Sequence, residues 1–242
     1  MSDRQQTAIV TGASQGIGAG VVNRFVERGF NVVANSRRVT QSGAVAASSQ
    51  VALVDGHIGE PATAARIVET ALSRFESIDI LVNNAGIFVT KPFTEYTAED
   101  VRSLVSTNVE GFVYITQLAI RQMLKQKTGG SIVTITAALV RNPIRGVTAS
   151  VAMITKGGLE TITKHLAMEY AKDRIRVNAV APGVVDTPLH RNDPKDVLER
   201  LSPMGRVSTV NDITDAVMYL TDAPSVTGDI LYVDGGAHVG RW

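Results

Sequence analysis

The chain of 242 residues has no cysteine, a single tryptophan and four histidines. The absence of cysteine excludes disulfide bonds, thiolate metal ligands and a cysteine nucleophile, and it suits a reducing compartment. The histidines, at positions 57, 165, 190 and 238, lack the close spacing of metal ligands. We therefore expect no bound metal, and a metal-dependent hydrolase is a poor interpretation of this chain.

Charge and long apolar runs are scarce as well. Charged residues make up 19% of the chain, the formal net charge is +1, and the lysines and arginines are scattered. A nucleic-acid surface needs a basic stripe, so none is expected. No apolar run approaches the ~20 residues that span a bilayer, and the first residues lack the apolar core of a signal peptide. We expect a cytoplasmic protein that does not bind a membrane.

What the chain does contain is an alternation of strand and helix patterns. Apolar runs typical of strands covered on both faces occur at 7–11, 31–35, 51–54, 79–83, 131–136, 175–181 and 229–233. Segments with one apolar helical stripe separate them, the longest at 97–126 and 150–171. No linker or repeat divides the chain. The pattern predicts one α/β domain over 1–242, with a seven-stranded parallel sheet in three layers, α/β/α.

The first strand ends in a glycine-rich stretch, Thr11–Gly18, that leads into an amphipathic helix pattern. Glycine lets the backbone turn sharply and approach a ligand closely, and a helix N-terminus binds phosphate through its free N–H groups. Three glycines in this context predict a dinucleotide cradle in a doubly wound, Rossmann-type fold rather than a plain structural turn. The predicted contacts of this loop are Gly12, Ser14, Gln15, Gly16, Ile17 and Gly18.

The end of the second strand indicates which dinucleotide binds. Ser36, Arg37 and Arg38 stand where a free ribose hydroxyl would be held by a carboxylate. Arginine binds phosphate through paired hydrogen bonds, so this position favours NADP(H) over NAD(H). The alternative is a pair of solvated surface arginines.

The loops after the third and fourth strands are expected to line the same cofactor, because ligands of parallel sheets bind at the carboxyl ends of the strands. The third loop should lie near the adenine, and the fourth is small and polar where the backbone must pass close to the cofactor. The predicted contacts are His57, Ile58, Asn84, Ala85 and Gly86.

With these motifs the chain resembles the short-chain dehydrogenase/reductase family, of the ketoacyl-reductase type. The resemblance covers essentially the whole chain and rests on the glycine loop 11–18, Asn83-Asn84-Ala85-Gly86, Asn108, Lys156, Pro182-Gly183 with Thr187, and Val233-Asp234-Gly235-Gly236. It implies an NADP(H)-dependent oxidoreductase that transfers a hydride to or from a carbonyl or alcohol, assembled as a homotetramer or homodimer. It also implies a substrate-covering segment at about 186–207 and cofactor contacts at Asn108, Lys156, Pro182, Gly183, Val185 and Thr187.

The family's catalytic set is an Asn, a Ser, a Tyr and a Lys, and this chain matches it only in part. Asn108 and Lys156 are present, the Asn to hold a water and the Lys to bind the ribose and lower the tyrosine pKa. The tyrosine, which supplies the proton, should lie one helical turn before the lysine, where Ala152 stands. The serine should follow the fifth strand, where Ala137 lies beside Thr136, so Thr136 is the catalytic candidate there.

Two interpretations therefore remain open. Loss of a general acid typically costs ~10²–10⁴-fold in rate, so the chain is either an oxidoreductase with a non-standard proton donor or an NADP(H)-binding sensor, regulator or partner subunit. His190, at the start of the covering segment, is the candidate replacement donor, whereas His165 should face away from Lys156. Three loop arginines would favour an acidic substrate if they lined the site: Arg141, Arg145 and Arg191.

Overall fold

Strand β1, Thr7–Thr11, is an inner strand of the sheet, and all of its residues are buried. The computed structural model describes residues 4–240. The other strands in it are β2 Asn31–Ser36, β3 Val51–Asp55, β4 Ile80–Asn83, β5 Gly130–Ile135, β6 Ile175–Pro182 and β7 Ile230–Val233. The strands pair in the order β3-β2-β1-β4-β5-β6-β7, all in parallel. Each predicted strand is confirmed, with its ends shifted by no more than one residue.

Helices cover both faces of the sheet. They are α1 Gly16–Glu27, α2 Pro61–Phe75, α3 Ala98–Leu104, α4 Gly111–Gln126, α5 Ser150–Tyr170, α6 Lys195–Glu199 and α7 Val210–Asp222. Side chains of β1 alternate between two cores: Ala8 and Val10 pack with α1 and α7, and Ile9 packs with α2 and α4. The predicted three-layer, Rossmann-type single domain is confirmed.

One expected regular helix is interrupted. The apolar stripe over 97–126 predicted a continuous helix, but a π-helical turn, Val105–Glu110, separates α3 from α4. This turn contains Asn108, which is buried and whose carboxamide bonds both backbone groups of Ile87. The prediction was wrong here because hydrophobic periodicity carries no signal for one extra residue in a turn, a feature that is frequent at functional sites.

The segment 186–207 leaves the sheet after β6 and returns before α7. It contains a 3₁₀ turn, Pro188–His190, and the short helix α6. Its two ends are joined by backbone hydrogen bonds from Asp186 to Ser208 and from Ser208 to Val184, so the segment is a closed excursion from one point of the fold. Among residues 4–240, no helix has both the length and the apolar character needed to cross a bilayer.

Candidate functional site

The carboxyl ends of the central strands open into one cleft of about 530 Å³. It brings together these predicted site residues: Gly12, Gln15, Gly16, Ile17, Gly18, Arg37, Asn84, Ala85, Gly86, Thr136, Lys156, Pro182, Gly183, Val185 and Thr187. The predicted residues that do not line it are Ser14, Ser36, Arg38, His57, Ile58 and Asn108. Parallel sheets of this kind bind ligands at the carboxyl ends of their strands. The predicted cofactor loops therefore meet at the expected place.

The glycine loop leaves no room for a side chain at Gly12 or Gly18. Gly12 has a φ of +68°, in the left-handed region that favours glycine. A Cβ added to Gly18 would lie 2.3 Å from the Gly12 carbonyl oxygen and 2.5 Å from Asn84 Nδ2. These glycines allow the first turn of α1 to approach the end of β1 closely.

The start of α1 is suited to an anion. The N-cap residue, Gln15, makes no side-chain hydrogen bond to the helix, and the first turn contains no acidic residue. The N–H groups of this turn, beginning at Gly16, have no partner within the helix and point along the positive end of its dipole. Because Gln15 to Gly18 line the cleft, a phosphate there would meet these N–H groups directly.

The loop after β4 is tied to the glycine loop. Asn84 Nδ2 donates to the carbonyl oxygens of Thr11, at 3.0 Å, and Gly12, at 3.1 Å. In return, Thr11 Oγ1 accepts from the backbone N–H groups of Asn84, at 3.1 Å, and Ala85, at 3.0 Å. Four hydrogen bonds therefore fix the two cofactor loops relative to each other.

Positive charge dominates the end of β2. Arg37 and Arg38 are exposed, and in the described chain neither guanidinium has an ion-pair or hydrogen-bond partner. The Ser36 hydroxyl accepts from the Arg38 backbone N–H. The nearby carboxylate, Asp55, is held by Thr40, whose hydrogen bonds lower the Asp55 pKa. Arg37 is thus free to bind a phosphate at the cleft rim.

His57 and Ile58 lie behind the cleft wall. His57 Nδ1 accepts from the Gly59 N–H at 3.1 Å, and its Nε2 lies 3.3 Å from Thr107 Oγ1. Ile58 is buried against Gly111 at the start of α4. Their contact with adenine stays a prediction. Within residues 4–240, no three His, Asp or Glu side chains are close enough together to hold a metal ion.

Lys156 lines the cleft beside the loop after β4. Its Nζ donates to the Ile135 carbonyl oxygen at 2.7 Å, and a Cβ on Gly86 would lie 3.1 Å from that nitrogen. The side chain is buried, and burial lowers the Lys156 pKa to about 8. Lys156 therefore lies close to the loop after β4, and its burial favours the neutral amine more than water does.

The carboxamide of Asn108 is used within the fold. Its Oδ1 accepts from the Ile87 N–H at 2.8 Å, and its Nδ2 donates to the Ile87 carbonyl at 3.1 Å and to Thr155 Oγ1 at 2.9 Å. Thr155, which the sequence interpretation did not single out, immediately precedes Lys156 in α5. Asn108 therefore fixes the loop after β4 to the start of α5, just behind Lys156.

The Thr136 hydroxyl has hydrogen-bond acceptors within the fold. It lies 3.1 Å from Glu160 Oε1 and 3.3 Å from the Val180 carbonyl oxygen, and both are acceptors. Burial raises the Glu160 pKa. Glu160 was also missed, although its position four residues after Lys156 places both side chains on one face of α5. The predicted catalytic role of Thr136 stays a prediction, and its proton already has an acceptor.

Ala152 provides no proton donor and is fully enclosed. It is inaccessible to solvent and packs in an apolar cluster with Leu104, Ala149 and Val151. Partly buried side chains that line the cleft close over this cluster: Ile87, Phe88, Leu139 and Val147. The space that a tyrosine ring would need one turn before Lys156 is therefore occupied by hydrocarbon.

Large apolar side chains make up one set of the cleft lining. They are Ile87, Phe88, Leu139, Ile144, Val147, Leu189 and Leu201. Two polar side chains, Asn142 and His190, lie among these lining residues. The Asn142 amide donates to the carbonyls of Ala237 and Gly240. His190 Nδ1 lies 2.8 Å from Asp193 Oδ2. None of Arg141, Arg145 and Arg191 lines the cleft.

Comparisons with known proteins agree with this geometry. A family model described as enoyl-(acyl carrier protein) reductase matches residues 12–238. The chain is 37% identical to a tropinone reductase homolog of Arabidopsis thaliana, and the match covers 95% of this chain and 88% of the relative. Among solved structures, it is similar to a 3-ketoacyl-(acyl-carrier-protein) reductase from Brucella melitensis complexed with NADH, with 30% identity, a TM-score of 0.90 and coverage of 98% of this chain and 100% of that chain. It is also similar to ElxO with NADP bound, with 25% identity, a TM-score of 0.88 and coverage of 96% and 98%.

Proposed function

The chain belongs to the short-chain dehydrogenase/reductase family of oxidoreductases, and we propose that it transfers a hydride between NADP(H) and an uncharged, apolar carbonyl or alcohol substrate. The observation that carries this proposal is one cleft whose lining combines the glycine loop and the start of α1 with Lys156 and a set of apolar side chains. The proton donor is non-standard, because Ala152 stands where the family's tyrosine would be.

The residues present fit a nicotinamide dinucleotide. The glycine loop and the first turn of α1 would hold the pyrophosphate, and Arg37 would hold the 2′-phosphate of NADP(H). Asn84, Gly86, Lys156 and the turn at 182–187 would hold the nicotinamide half. When bound, the cofactor supplies or accepts the hydride. The similar structures with NADP and with NADH support a nicotinamide cofactor, and the choice of NADP(H) rests on Arg37.

Replacing Arg37 by alanine is expected to weaken NADPH binding about tenfold to a hundredfold and to leave NADH binding nearly unchanged. A hydrogen-bonded ion pair with phosphate contributes about 1.5–3 kcal/mol, and only NADPH carries the 2′-phosphate. Titration of protein fluorescence with each cofactor measures both dissociation constants.

The matched control for this variant is Arg102→Ala. Arg102 is also an exposed arginine, it pairs with Glu99 on α3, and it does not line the cleft. Its loss should leave both dissociation constants unchanged. Equal or tighter binding of NADH by the unmodified chain would contradict the assignment of NADP(H).

The lining of the cleft supports an uncharged, apolar substrate. An apolar wall binds hydrocarbon surface and disfavours a charge that has no partner. The three loop arginines that would favour an acidic substrate lie elsewhere, and the Arg141 guanidinium is 6.0 Å from the centre of the Tyr232 ring. Leu189 and Leu201 bring the segment 186–207 to the cleft, and this supports its proposed role in covering the substrate.

A second candidate function is NADP(H) binding without catalysis, as a sensor, regulator or partner subunit. The observation that favours it is the absence of a free hydroxyl at the expected serine and tyrosine positions, where Ala137 and Ala152 stand. In that case Lys156 would serve only the cofactor ribose. The two candidates differ in one measurable property, which is whether NADPH is consumed.

We also propose a homotetramer, with a homodimer as the smaller alternative. Apolar side chains remain exposed on the helical layer: Ile154 and Met168 on α5, and Val101 on α3. Association of chains through these helices would cover them. Light scattering at micromolar concentration is expected to give the mass of four chains, and a monomer would contradict the proposal.

A further inference from the structure

Four of the eight polar side chains that line the cleft among the described residues have no hydrogen left to donate to a substrate. Asn84 and Asn142 use both amide hydrogens on backbone carbonyls. The hydroxyls of Thr136 and Thr187 have acceptors within the fold as well. These groups can accept hydrogen bonds from a bound molecule, but they are poor sources of the proton that carbonyl reduction requires.

Four lining side chains of the described residues keep a donor N–H. Gln15 and Arg37 belong to the phosphate end of the cleft, at the start of α1 and the end of β2. The other two, Lys156 and His190, lie beside the apolar wall where the substrate would bind. The choice of proton donor is therefore between these two.

Lys156 and His190 differ in how rigidly the fold holds their side chains. An ammonium group has three donor hydrogens, and Lys156 uses one on the Ile135 carbonyl, which leaves two. Its nitrogen is buried between α5 and the ends of β4 and β5. His190 lies on a surface turn, with about a quarter of its side chain exposed (24%) and Nδ1 paired with Asp193. A buried donor on regular elements is the better-positioned one.

We infer that Lys156 itself donates the proton to the substrate oxygen, in place of the missing tyrosine, through one of the two Nζ hydrogens that the fold leaves free. This inference rests on the proposed function. It gives a direct catalytic role to Lys156, which the family resemblance expects only to bind the ribose and to lower the pKa of a tyrosine.

The proton balance of the step is simple. As the carbonyl carbon receives the hydride, the π electron pair of the C=O bond moves onto the oxygen. That oxygen forms an O–H bond with a hydrogen of Lys156 Nζ, and the N–H bond breaks. Lys156 is left as a neutral amine and regains a proton from solvent. In the oxidative direction the neutral amine accepts the hydroxyl proton.

The pH dependence follows from the burial of Lys156. Its pKa of about 8 is due to burial alone, so the ammonium is the main form below pH 8 and is lost above it. Such a pKa is well matched to a general acid at neutral pH. The other titratable side chains that line the cleft are Arg37 and His190, and Glu160 lies one turn along α5, hydrogen-bonded to Thr136. We expect kcat for ketone reduction to be level below pH 8 and to fall above it.

The test compares three proteins in ketone reduction and in NADPH binding by fluorescence: the unmodified chain, Lys156→Arg and His190→Gln. Arginine keeps the positive charge but does not release its proton. For Lys156→Arg we expect kcat to fall about 10²- to 10⁴-fold, with no decrease in kcat near pH 8. For His190→Gln we expect the decrease above pH 8 to persist.

A second measurement on the unmodified chain does not depend on catalysis or on how a variant folds. Competitive labelling with acetic anhydride across pH, in the presence of NADP⁺ and read by mass spectrometry on the Lys156 peptide, should give a pKa near 8. A labelling pKa above 10, a Lys156→Arg variant that keeps normal kcat, or a pH profile that changes with His190→Gln would overturn the assignment. Failure of the unmodified chain to bind NADPH would instead refute the proposed function, and this inference with it.

Discussion

Gly18→Ala is expected to weaken NADPH binding by at least about a hundredfold and to lower thermal stability by several degrees. The added Cβ would lie 2.3 Å from the Gly12 carbonyl oxygen. That oxygen belongs to the backbone and also accepts a hydrogen bond from Asn84, so it cannot move alone. Relief of that clash must shift the loop whose N–H groups would hold the pyrophosphate. Overpacking of this kind costs about 1–3 kcal/mol, or roughly 2–10 °C in Tm for a domain of this size.

The matched control is Gly158→Ala. Gly158 lies inside α5, and no atom outside its own helix turn lies within 4 Å of the added Cβ. Alanine there should leave NADPH binding unchanged, because Gly158 does not line the cleft. Fluorescence titration and thermal unfolding of both variants give the comparison. A Gly18→Ala variant with normal NADPH affinity and Tm would show that the loop does not form the cradle described above.

Ala152→Tyr is expected to increase the turnover of an uncharged ketone about tenfold to a hundredfold. A phenol at this position lies one turn before Lys156 on the same face of α5, and the nearby ammonium would lower its pKa. The gain should fall short of the full ~10²–10⁴-fold of a positioned general acid. Ala152 is fully buried, so the ring must displace side chains such as Leu139 and Val147, at a cost of about 1–3 kcal/mol in stability.

Ala152→Phe separates the chemistry from the packing. It places a ring of nearly the same size in the same apolar cluster but has no hydroxyl group to donate a proton. Both variants should lose similar stability, and only the tyrosine variant should gain turnover. If the two folded variants bind NADPH and have the same kcat on the ketone, the missing phenol is not what limits this enzyme.

The fold was largely predictable because its strands are short, apolar and regularly spaced. Runs such as 7–11 and 175–181 indicate strands buried on both faces, and the glycines after β1 mark the cradle. The π-helical turn at Val105–Glu110 was not predictable, because it is stabilised by bonds between Asn108 and the backbone of Ile87. Those two residues are 21 positions apart, and no local pattern encodes such a pair.

The site was predictable at its cofactor end and not at its catalytic end. The cofactor loops follow strands in sequence, so topology alone brings Gly12, Asn84 and Gly86 together. The catalytic end depends on the direction of single side chains. The Thr136 hydroxyl donates within the fold, and the pKa of Lys156 is set by burial, which sequence spacing does not reveal.

The central claim, hydride transfer in a cleft without the family's tyrosine, is tested most directly by isotope transfer. The purified chain is incubated with NADPH that carries deuterium on one face of nicotinamide C4 and with a panel of uncharged apolar ketones such as 2-decanone, and the alcohol is examined by mass spectrometry. We predict an alcohol one mass unit heavier, formed from only one of the two C4-labelled cofactors. Tight NADPH binding without labelled alcohol from any ketone of the panel would contradict the claim and support a role in binding alone.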